Sequence, residues 1–460
     1  MYRYDSGQIR VDDFEQPIGM NIRPDNRWVQ KARRIPWEAI EKRYARLFPS
    51  NKGNEAKPLR LALGACMIQS EYGYPDEEVG LQIQENPYLQ YFCGYKKYDD
   101  SKPPFDPSSM VHFRKRLTME ILGEINELIL RENQPAGSDC HDDDNSNRGT
   151  LIADATCAPS NIRFPQDESL LNEAREWTEK IIDTLYDPKA RRKPRTYRQS
   201  AHKAHVNFTK CRKKTKSQIR KAIGAQRRYV KRNLRTIRQM QADGKNMTAL
   251  QQARLTTIEK LYEQQSLMYQ NKTHSVSDRI VSLSQPFLRP IVRGKTRSPV
   301  EFGAKLDISV VDGYARLEVL SFDAYNESTQ LIPMIERFKQ RTGHYPRKVL
   351  ADKIYRNRIN LQFCKEHGIH LSGPRLGRPP ADAADQKRLN YLDECARIEV
   401  ERRFSLAKRK CGLGLIMTKL EDTIGHSIAM SIVVLNLRKL GTLLLRFLCF
   451  YRFQTRFAEI

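Results

Sequence analysis

Apolar residues recur at three- and four-residue spacings from about residue 36 to 133, in segments such as PLRLALGACMIQ and DEEVGLQIQENPYLQYF. That period predicts helices. PWEAIEKRYARLF opens one of them with Pro36 at its start, a position where a missing N–H is harmless. In DPSSMVHFRKRL, Asp106 or Ser108 offers an N-cap ahead of Phe113 and Leu117, and Arg114, Lys115 and Arg116 fall on polar positions. A short helix ending in basic residues suits a nucleic-acid groove. An ordinary amphipathic helix with a solvated face fits the same pattern.

The pattern then breaks. NQPAGSDCHDDDNSNR is polar, holds Pro and Gly and has no period, which marks a linker. Its Asp139, Asp142, Asp143 and Asp144 lie nearly consecutively in a flexible segment and are not expected to converge on one ion. Beyond it, short apolar runs alternate with amphipathic helices. GTLIADAT reads as a strand, and VEFGAKLDISVVDGYARLEVLSFD as two strands joined at Asp312-Gly313. ESTQLIPMIERFKQRTG is a helix with a glycine stop, RKVLAD a strand, NRINLQFCKEHG a helix, IHLSG a strand and CARIEVERRFSLAKRK a helix. The predicted fold class is α/β: a mixed sheet of ribonuclease-H-like order, preceded by an all-α N-terminal domain. A helical insert separates its first two strands. The expected divisions are 1–135 (helical, holding the candidate DNA-binding helix), 136–148 (linker), 149–166 (first core strand and loop), 167–280 (insert), 281–425 (rest of the core) and 426–460 (C-terminal helices).

Charge changes the picture most. The formal net charge is +26, an excess that attracts a polyanion, with nucleic acid the usual one. A ribosomal or membrane-surface protein can share it. Between Pro188 and Ala242 there is no acidic residue, while Ile219, Ile223, Val230, Leu234 and Ile237 keep helical spacing. Leu255, Ile258, Leu261 and Met268 form a second stripe, so the two helices are expected to pair as a hairpin. Arg227, Arg228, Lys231, Arg232 and Arg235 then lie outside, where they would position DNA through its phosphates rather than read bases. A hydrophobic share of 39% supports a real core. Nine dispersed cysteines without a C-x-x-C pair fit reduced thiols in a cytoplasm. Arg3, Asp5 and Arg10 interrupt any secretory signal, and Asn436, Arg438, Lys439 and Arg446 make Ile428 to Phe450 a buried helix pair rather than a membrane span.

Three acids carry the candidate chemistry. Asp154 ends the apolar run Leu151-Ile152-Ala153, and Asp352 ends Val349-Leu350-Ala351. Either alone can simply cap a turn, but two acids ending neighbouring strands gather where ligands of open α/β sheets bind. Arg397, Glu401 and Lys408 share one face of a helix, with Phe404 and Leu406 anchoring the neighbouring face. A plain salt-bridged helix is the alternative. Three carboxylates, Asp154, Asp352 and Glu401, suit two Mg²⁺ ions, with Asp154 or Asp352 shared between them. Lys408 can hold a phosphate, and Arg397 can do the same or orient Glu401.

These segments resemble the DDE transposases of bacterial insertion sequences. The resemblance runs through DATCAPSNIRFPQDESLLNEAR, RPIVRGKTRSPVEFGAKL, DAYNES, ADKIYRNR, RIEVERRFSLAKRKCGL and DPSSMVHFRKRL. It implies the triad Asp154, Asp352 and Glu401 and maps a Tyr-Arg-Glu-Lys helix signature onto Arg397, Glu401 and Lys408. Glu394 stands where the tyrosine is expected. Arg293 and Lys295, in the second segment, join the DNA-binding candidates. The family implies Mg²⁺ with Mn²⁺ as a substitute, and double-stranded DNA as partner at both transposon ends and target. It also implies a homodimer in the synaptic complex, cleavage exposing 3′-hydroxyls, strand transfer, and a cytoplasmic, nucleoid-associated location. A ribonuclease-H-like nuclease or resolvase, or a catalytically silent DNA-binding derivative, remains open.

Overall fold

The computed structural model describes residues 14–15, 21–48, 55–133, 147–187, 193–292, 300–374 and 384–457. Most of the expected linker, with Asp139, Asp142, Asp143 and Asp144, lies outside them, as do Arg293 and Lys295. The chain forms two compact units, one of Met1–Ser160, Ala304–Ser321 and Tyr325–Ile460, the other of Asn161–Gly303 and Phe322–Ala324.

The first unit opens with helices α1 (Arg27–Arg34), α2 (Trp37–Ala45), α3 (Leu59–Tyr72), α4 (Asp76–Glu85), α5 (Pro87–Phe92), α6 (Ser109–Arg116) and α7 (Met119–Glu132). Their starts follow the local chemistry: Asn26 accepts from the Trp28 N–H, Asn86 from Tyr88 and Leu89, and Thr118 from Ile121. Strand β1 (Thr150–Pro159) follows. The second unit then contributes α8 (Asp167–Leu185), α9 (Arg198–Lys210), α10 (Lys216–Ala242), α11 (Ala249–Asn271) and β2 (Arg289–Val292). Strands β3 (Val300–Val311) and β4 (Tyr314–Ser321), helix α12 (Leu331–Thr342), β5 (Lys348–Leu350), α13 (Arg358–Glu366), β6 (His370–Leu371), α14 (Ala384–Lys410) and α15 (Glu421–Phe457) complete the chain.

The sheet of the first unit runs β4-β3-β1-β5-β6. β1 pairs parallel with β5, and β5 with β6, whereas β3 and β4 are antiparallel. The β3–β4 turn is the expected tight one: Asp312 and Gly313 both take positive φ, 52° and 74°, which matches the twist of the strands they join. Glu318 is the extra residue of a bulge in that ladder, between the pairs Asp307↔Val319 and Ile308↔Leu317. Its buried carboxylate accepts from Arg337 Nε at 2.6 Å and Arg341 Nη2 at 2.7 Å, tying the hairpin to α12.

Two expectations about this unit change. β1 ends neither at Asp154, the acid that closes its apolar run, nor at Thr156, but continues to Pro159, with the small residues Ala155, Cys157 and Ala158 buried. The Ile416 N–H donates to the Pro159 carbonyl at 2.8 Å, pairing the strand's tail with a later segment. The apolar stretch from Ile428 is one helix, not a pair, since no glycine–proline break interrupts it. α15 packs on α3, α6, α7 and β4. Its polar residues are used inside: Asn436 Oδ1 accepts from the Ala315 N–H at 2.9 Å, while Nδ2 donates to the Ala315 carbonyl and to Asn126 Oδ1, each at 2.8 Å. Arg438 reaches Glu71, which also takes the ammonium of Lys31. Among the described residues no helix is long and apolar enough to cross a membrane.

In the second unit, Thr215 with Gln218 and Thr248 with Gln251 form capping boxes that start α10 and α11. The apolar stripes meet as expected, but α8 is the chief partner of α10, so a three-helix core replaces the simple hairpin. Leu170, Ala174, Ile181 and Ile182 of α8 face Val230, Leu234 and Ile237, and the stripe's first member, Ile219, is left exposed.

Asn436→Ala strips the β3–β4 turn of its partners and leaves buried amide groups unsatisfied. It is expected to cost about 2–4 kcal/mol, read as a lower urea midpoint in the fluorescence of Trp28 and Trp37. A midpoint equal to that of the parent would remove the role assigned to Asn436.

Candidate active site

The register of β1 on β5 pairs Leu151 with Val349 and Ile152 with Leu350. Carried two residues further, it sets Asp154 abreast of Asp352, just where β5 ends and leaves that side of β1 open. Asp154 is therefore mid-strand, while Asp352 caps the short 3₁₀ turn Lys353–Tyr355, its Oδ1 accepting from the Lys353 N–H at 2.6 Å. Asp154 Oδ1 accepts from the Ala155 N–H at 2.8 Å.

Glu401 arrives on α14, which lies against β1 and β5. The helix is fastened by a carboxylate that no sequence pattern singled out. Asp393, 1% exposed at its side chain, takes the Lys348 ammonium of β5 and accepts from His370 Nε2 of β6 at 2.9 Å. Seven and fourteen residues on, Val400 and Ala407 are buried too, so these three residues form the sheet-facing stripe of α14. Phe404 and Leu406, expected to anchor the helix, are only half-buried. The register turns Arg397 and Glu401 toward Asp154. Arg397 Nη1 stands 3.4 Å from Asp154 Oδ2, and Nη2 3.4 Å from Glu401 Oε1. Lys408 is half-buried near the end of the same helix.

The electrostatics are those of crowded acids. Burial pushes the Asp154 carboxyl up to about 6; the Ala155 N–H and Arg397 pull it back, and Asp352 and Glu327 push it further. Asp307, in β3, is wholly buried and pushed up to about 7, again by burial first, with Glu327 and Asp154 adding and the Tyr325 hydroxyl and Lys305 opposing. Neither Asp307 oxygen completes a hydrogen bond, nor do the buried hydroxyls of Tyr325 and Tyr355. Glu327 pairs with Lys305 at 2.8 Å. Asp307, Glu327 and Asp393 escape a reading that seeks acids only where apolar runs end. The available signal is an acid inside AKLDISVV, a strand apolar on both faces.

A divalent cation fits this donor set by chemistry. The carboxylates are hard oxygen ligands, and Mg²⁺ uses one or two of them with waters and phosphates. As they stand, no three His, Cys, Asp or Glu among the described residues are close enough together to hold an ion.

The basic candidates divide. Arg114 is buried and bonded to Asp76 and Gln69, so it supports the helical bundle instead of facing solvent. Lys115 and Arg116 are exposed, the latter over the Phe48 ring. On α10, Arg228, Lys231 and Arg232 are exposed, and Arg227 is half-buried. Tyrosines brace two of these guanidiniums: Tyr269 lies under Arg227 at 4.2 Å, and Tyr197 under Arg232 at 4.4 Å.

Two family models match the chain: Transposase DDE domain over residues 349–438, and Transposase domain (DUF772) over residues 17–116. The first spans Asp352, Arg397, Glu401 and Lys408; Asp154 lies outside it. A Rhizobium meliloti protein titled "Uncharacterized protein ORF8 in nfe locus" is 28% identical over 159 residues, covering 35% of this chain and 74% of that protein. No solved structure matches.

Arg397→Gln removes the counter-charge of Asp154 and is expected to move its titration upward from about 6, by about half to one unit. Carboxyl ¹³C NMR reads this directly. A downward or absent shift would show that the guanidinium does not stabilise the ionised form.

Proposed function

We propose that the chain, which carries two domains similar to those of insertion-sequence DDE transposases, binds the terminal inverted repeats of its element and cuts and joins DNA with Asp154, Asp352 and Glu401. The observation that carries this reading is the parallel register setting Asp154 beside Asp352, with Arg397 of α14 within 3.4 Å of both Asp154 and Glu401. The strand order β4-β3-β1-β5-β6, with one antiparallel hairpin and two parallel pairs, supports a ribonuclease-H-like core. Helices α8 to α11, leaving the chain between β1 and β2, support a basic helical insert.

The chain's own residues divide the work. Asp154, on a strand, and Asp352, on a capped turn, offer oxygens that are held in place by backbone N–H groups. Glu401 offers a third from a solvent-facing helix position. Bound Mg²⁺, or Mn²⁺ in its place, would supply the acidity that activates a water or a DNA 3′-hydroxyl and the positive charge that stabilises the leaving oxygen. Arg397 and Lys408 are suited to hold the phosphate next to the scissile bond, because both keep their charge and carry several donors. The α10 face, with Arg227, Arg228, Lys231 and Arg232, grips duplex phosphates, and Lys115 and Arg116 add a second grip in the helical bundle. Two copies of the chain would pair two ends.

Asp154→Ala, Asp352→Ala and Glu401→Ala are each expected to abolish Mg²⁺-dependent cleavage and joining of pre-cut ends while gel-shift binding of those ends persists. Wild-type-like cleavage by any one of them sinks its assignment. Cleavage without joined products by the parent protein would make it a nuclease, and neither activity would make it a DNA-binding derivative.

Neutralising Arg227, Arg228, Lys231 and Arg232 together should flatten the plot of log affinity against log salt by roughly 0.9 for each phosphate that is no longer neutralised. An unchanged slope would free this face from any role at the phosphates.

A further inference from the structure

The proposed chemistry uses the carboxylate of Asp352 but not the segment that follows it. From Lys353 to Lys365 there is no acidic residue, while Lys353, Arg356, Arg358 and Lys365 are basic. Within this stretch Ile354 is 52% exposed and Ile359 71% exposed. Lys353 and Arg358, each next to one of them in sequence, are exposed as well. Lone exposed isoleucines are ordinary on a protein surface. These two differ in how firmly the chain around them is held.

Tyr355 is wholly buried, with Asp307, Glu327 and Asp154 as charged neighbours, so the turn that Asp352 caps lies against the acidic centre. Arg356 Nη1 donates to the carbonyls of Leu371 and Ser372 at 2.6 and 2.7 Å. Asn357 starts α13 by accepting from the Asn360 N–H at 2.8 Å. The buried Asn360 amide donates to the carbonyls of Ser328 and Tyr355, each at 2.8 Å. With Tyr355, Arg356 and Asn360 pinned, the backbone keeps Ile354 and Ile359 at the surface. Both are β-branched and stiff at χ1, so little side-chain freedom is lost when something packs on them. Apolar groups bracketed by cations fit a polyanion whose sugars and bases lie between its phosphates, and isoleucine is among the side chains that pack against base steps.

We propose that Ile354 and Ile359 form an apolar lip beside Asp352 that packs on the sugar and base of the nucleotides flanking the scissile phosphate, while Lys353 and Arg358 hold the neighbouring phosphates. The role of this lip rests on the DNA-cleaving reading and deepens it: the acids act at the reacting phosphate, and the lip positions the strand around it. ADKIYRNR then supplies both an acid of the centre and the surface that seats its substrate.

The probe is a set of element-end duplexes, each with one abasic site, stepped nucleotide by nucleotide across the cleavage junction. Single-turnover cleavage by the full-length chain is the readout. The parent protein is expected to slow about tenfold when the base that meets the lip is missing. Ile354→Ala and Ile359→Ala, both at exposed positions, should lose about as much on the intact end and little more on the abasic one, because the contact is already gone. Ile354→Leu should recover most of the rate. Lys353→Gln with Arg358→Gln should flatten the salt dependence of end binding by about 0.9 per lost phosphate contact and leave the abasic penalty in place. Sedimentation without DNA addresses the other occupant, a second copy of the chain. Alanine variants that dissociate a dimer of the parent yet keep its full abasic penalty would overturn the DNA lip. Parent-like cleavage of intact ends by both alanine variants, or penalties that simply add, would do the same. A parent protein that cleaves no intact end would instead overturn the DNA-cleaving reading itself.

Discussion

A carboxylate drawn out of water needs a cation or several donors in place of its hydration, and crowding it with other carboxylates raises the demand. Asp154 carries that burden. It is held mid-strand by β1, receives one backbone N–H, and faces Asp352 and Glu327 as like charges. The sheet makes this arrangement unavoidable, because the register with β5 fixes where Asp352 lies and the length of β5 fixes where the flank of β1 opens. The guanidinium that answers it comes from α14, and α14 is itself fastened to β5 and β6 by the buried Asp393 through Lys348 and His370. Loss of that fastening would move Arg397 and Glu401 together, since they share a helix whose stripe of Asp393, Val400 and Ala407 sets their direction.

The chain as a whole is strongly cationic, yet its candidate centre is locally acidic. The two facts serve one purpose when the substrate is a polyanion. A basic exterior draws DNA in, and its long range makes the approach dependent on salt. A phosphate at the acidic centre, however, meets repulsion until positive charge is added there. On the proposed metal-dependent reading, cations would offset the crowding of the acids and the repulsion of a phosphate together, and local acidity within a basic protein becomes intelligible. The arginines on α10 fit the same proposal: tyrosine rings hold Arg227 and Arg232 in place, so less side-chain freedom would be lost on binding a phosphate.

Much of the fold is legible in local pattern. Asp312-Gly313 announces its hairpin because only a few residue types accept two positive φ angles in succession. The 3.6-residue period places α10, α11 and α14, and on α14 it predicts that Arg397 and Glu401 share a face. What local pattern misses depends on partners distant in sequence. β1 continues past Asp154 because a segment near Ile416 covers its tail. α15 is one helix because α3, α6, α7 and β4 surround it and use Asn436 and Arg438 internally. Arg114 reads as one of three surface cations, but Asp76 is waiting for it across the bundle. Asp307 is hidden for a related reason: an acid in a strand reads as solvent-facing unless the chain that covers it is known.

The distances around Arg397 complete the physical picture. A charge-assisted bond between guanidinium and carboxylate settles near 2.7–2.9 Å, whereas Arg397 stands at 3.4 Å from both Asp154 and Glu401. It stands between two acids without bonding either one tightly. Elsewhere in the same unit, where a guanidinium has a structural task, as with Arg337 and Arg341 on Glu318, the distances close to 2.6 and 2.7 Å. The contrast separates a lock from a loose counter-ion. Glu401 is more than half exposed and lies on a helix surface, so it can swing away from the guanidinium at little cost, whereas Asp154 cannot leave its strand. On the proposed reading, Asp154 and the movable Glu401 would hold a cation together, and Arg397, bound tightly to neither, would be left to hold a phosphate. The loose bridge suits one arginine to both tasks.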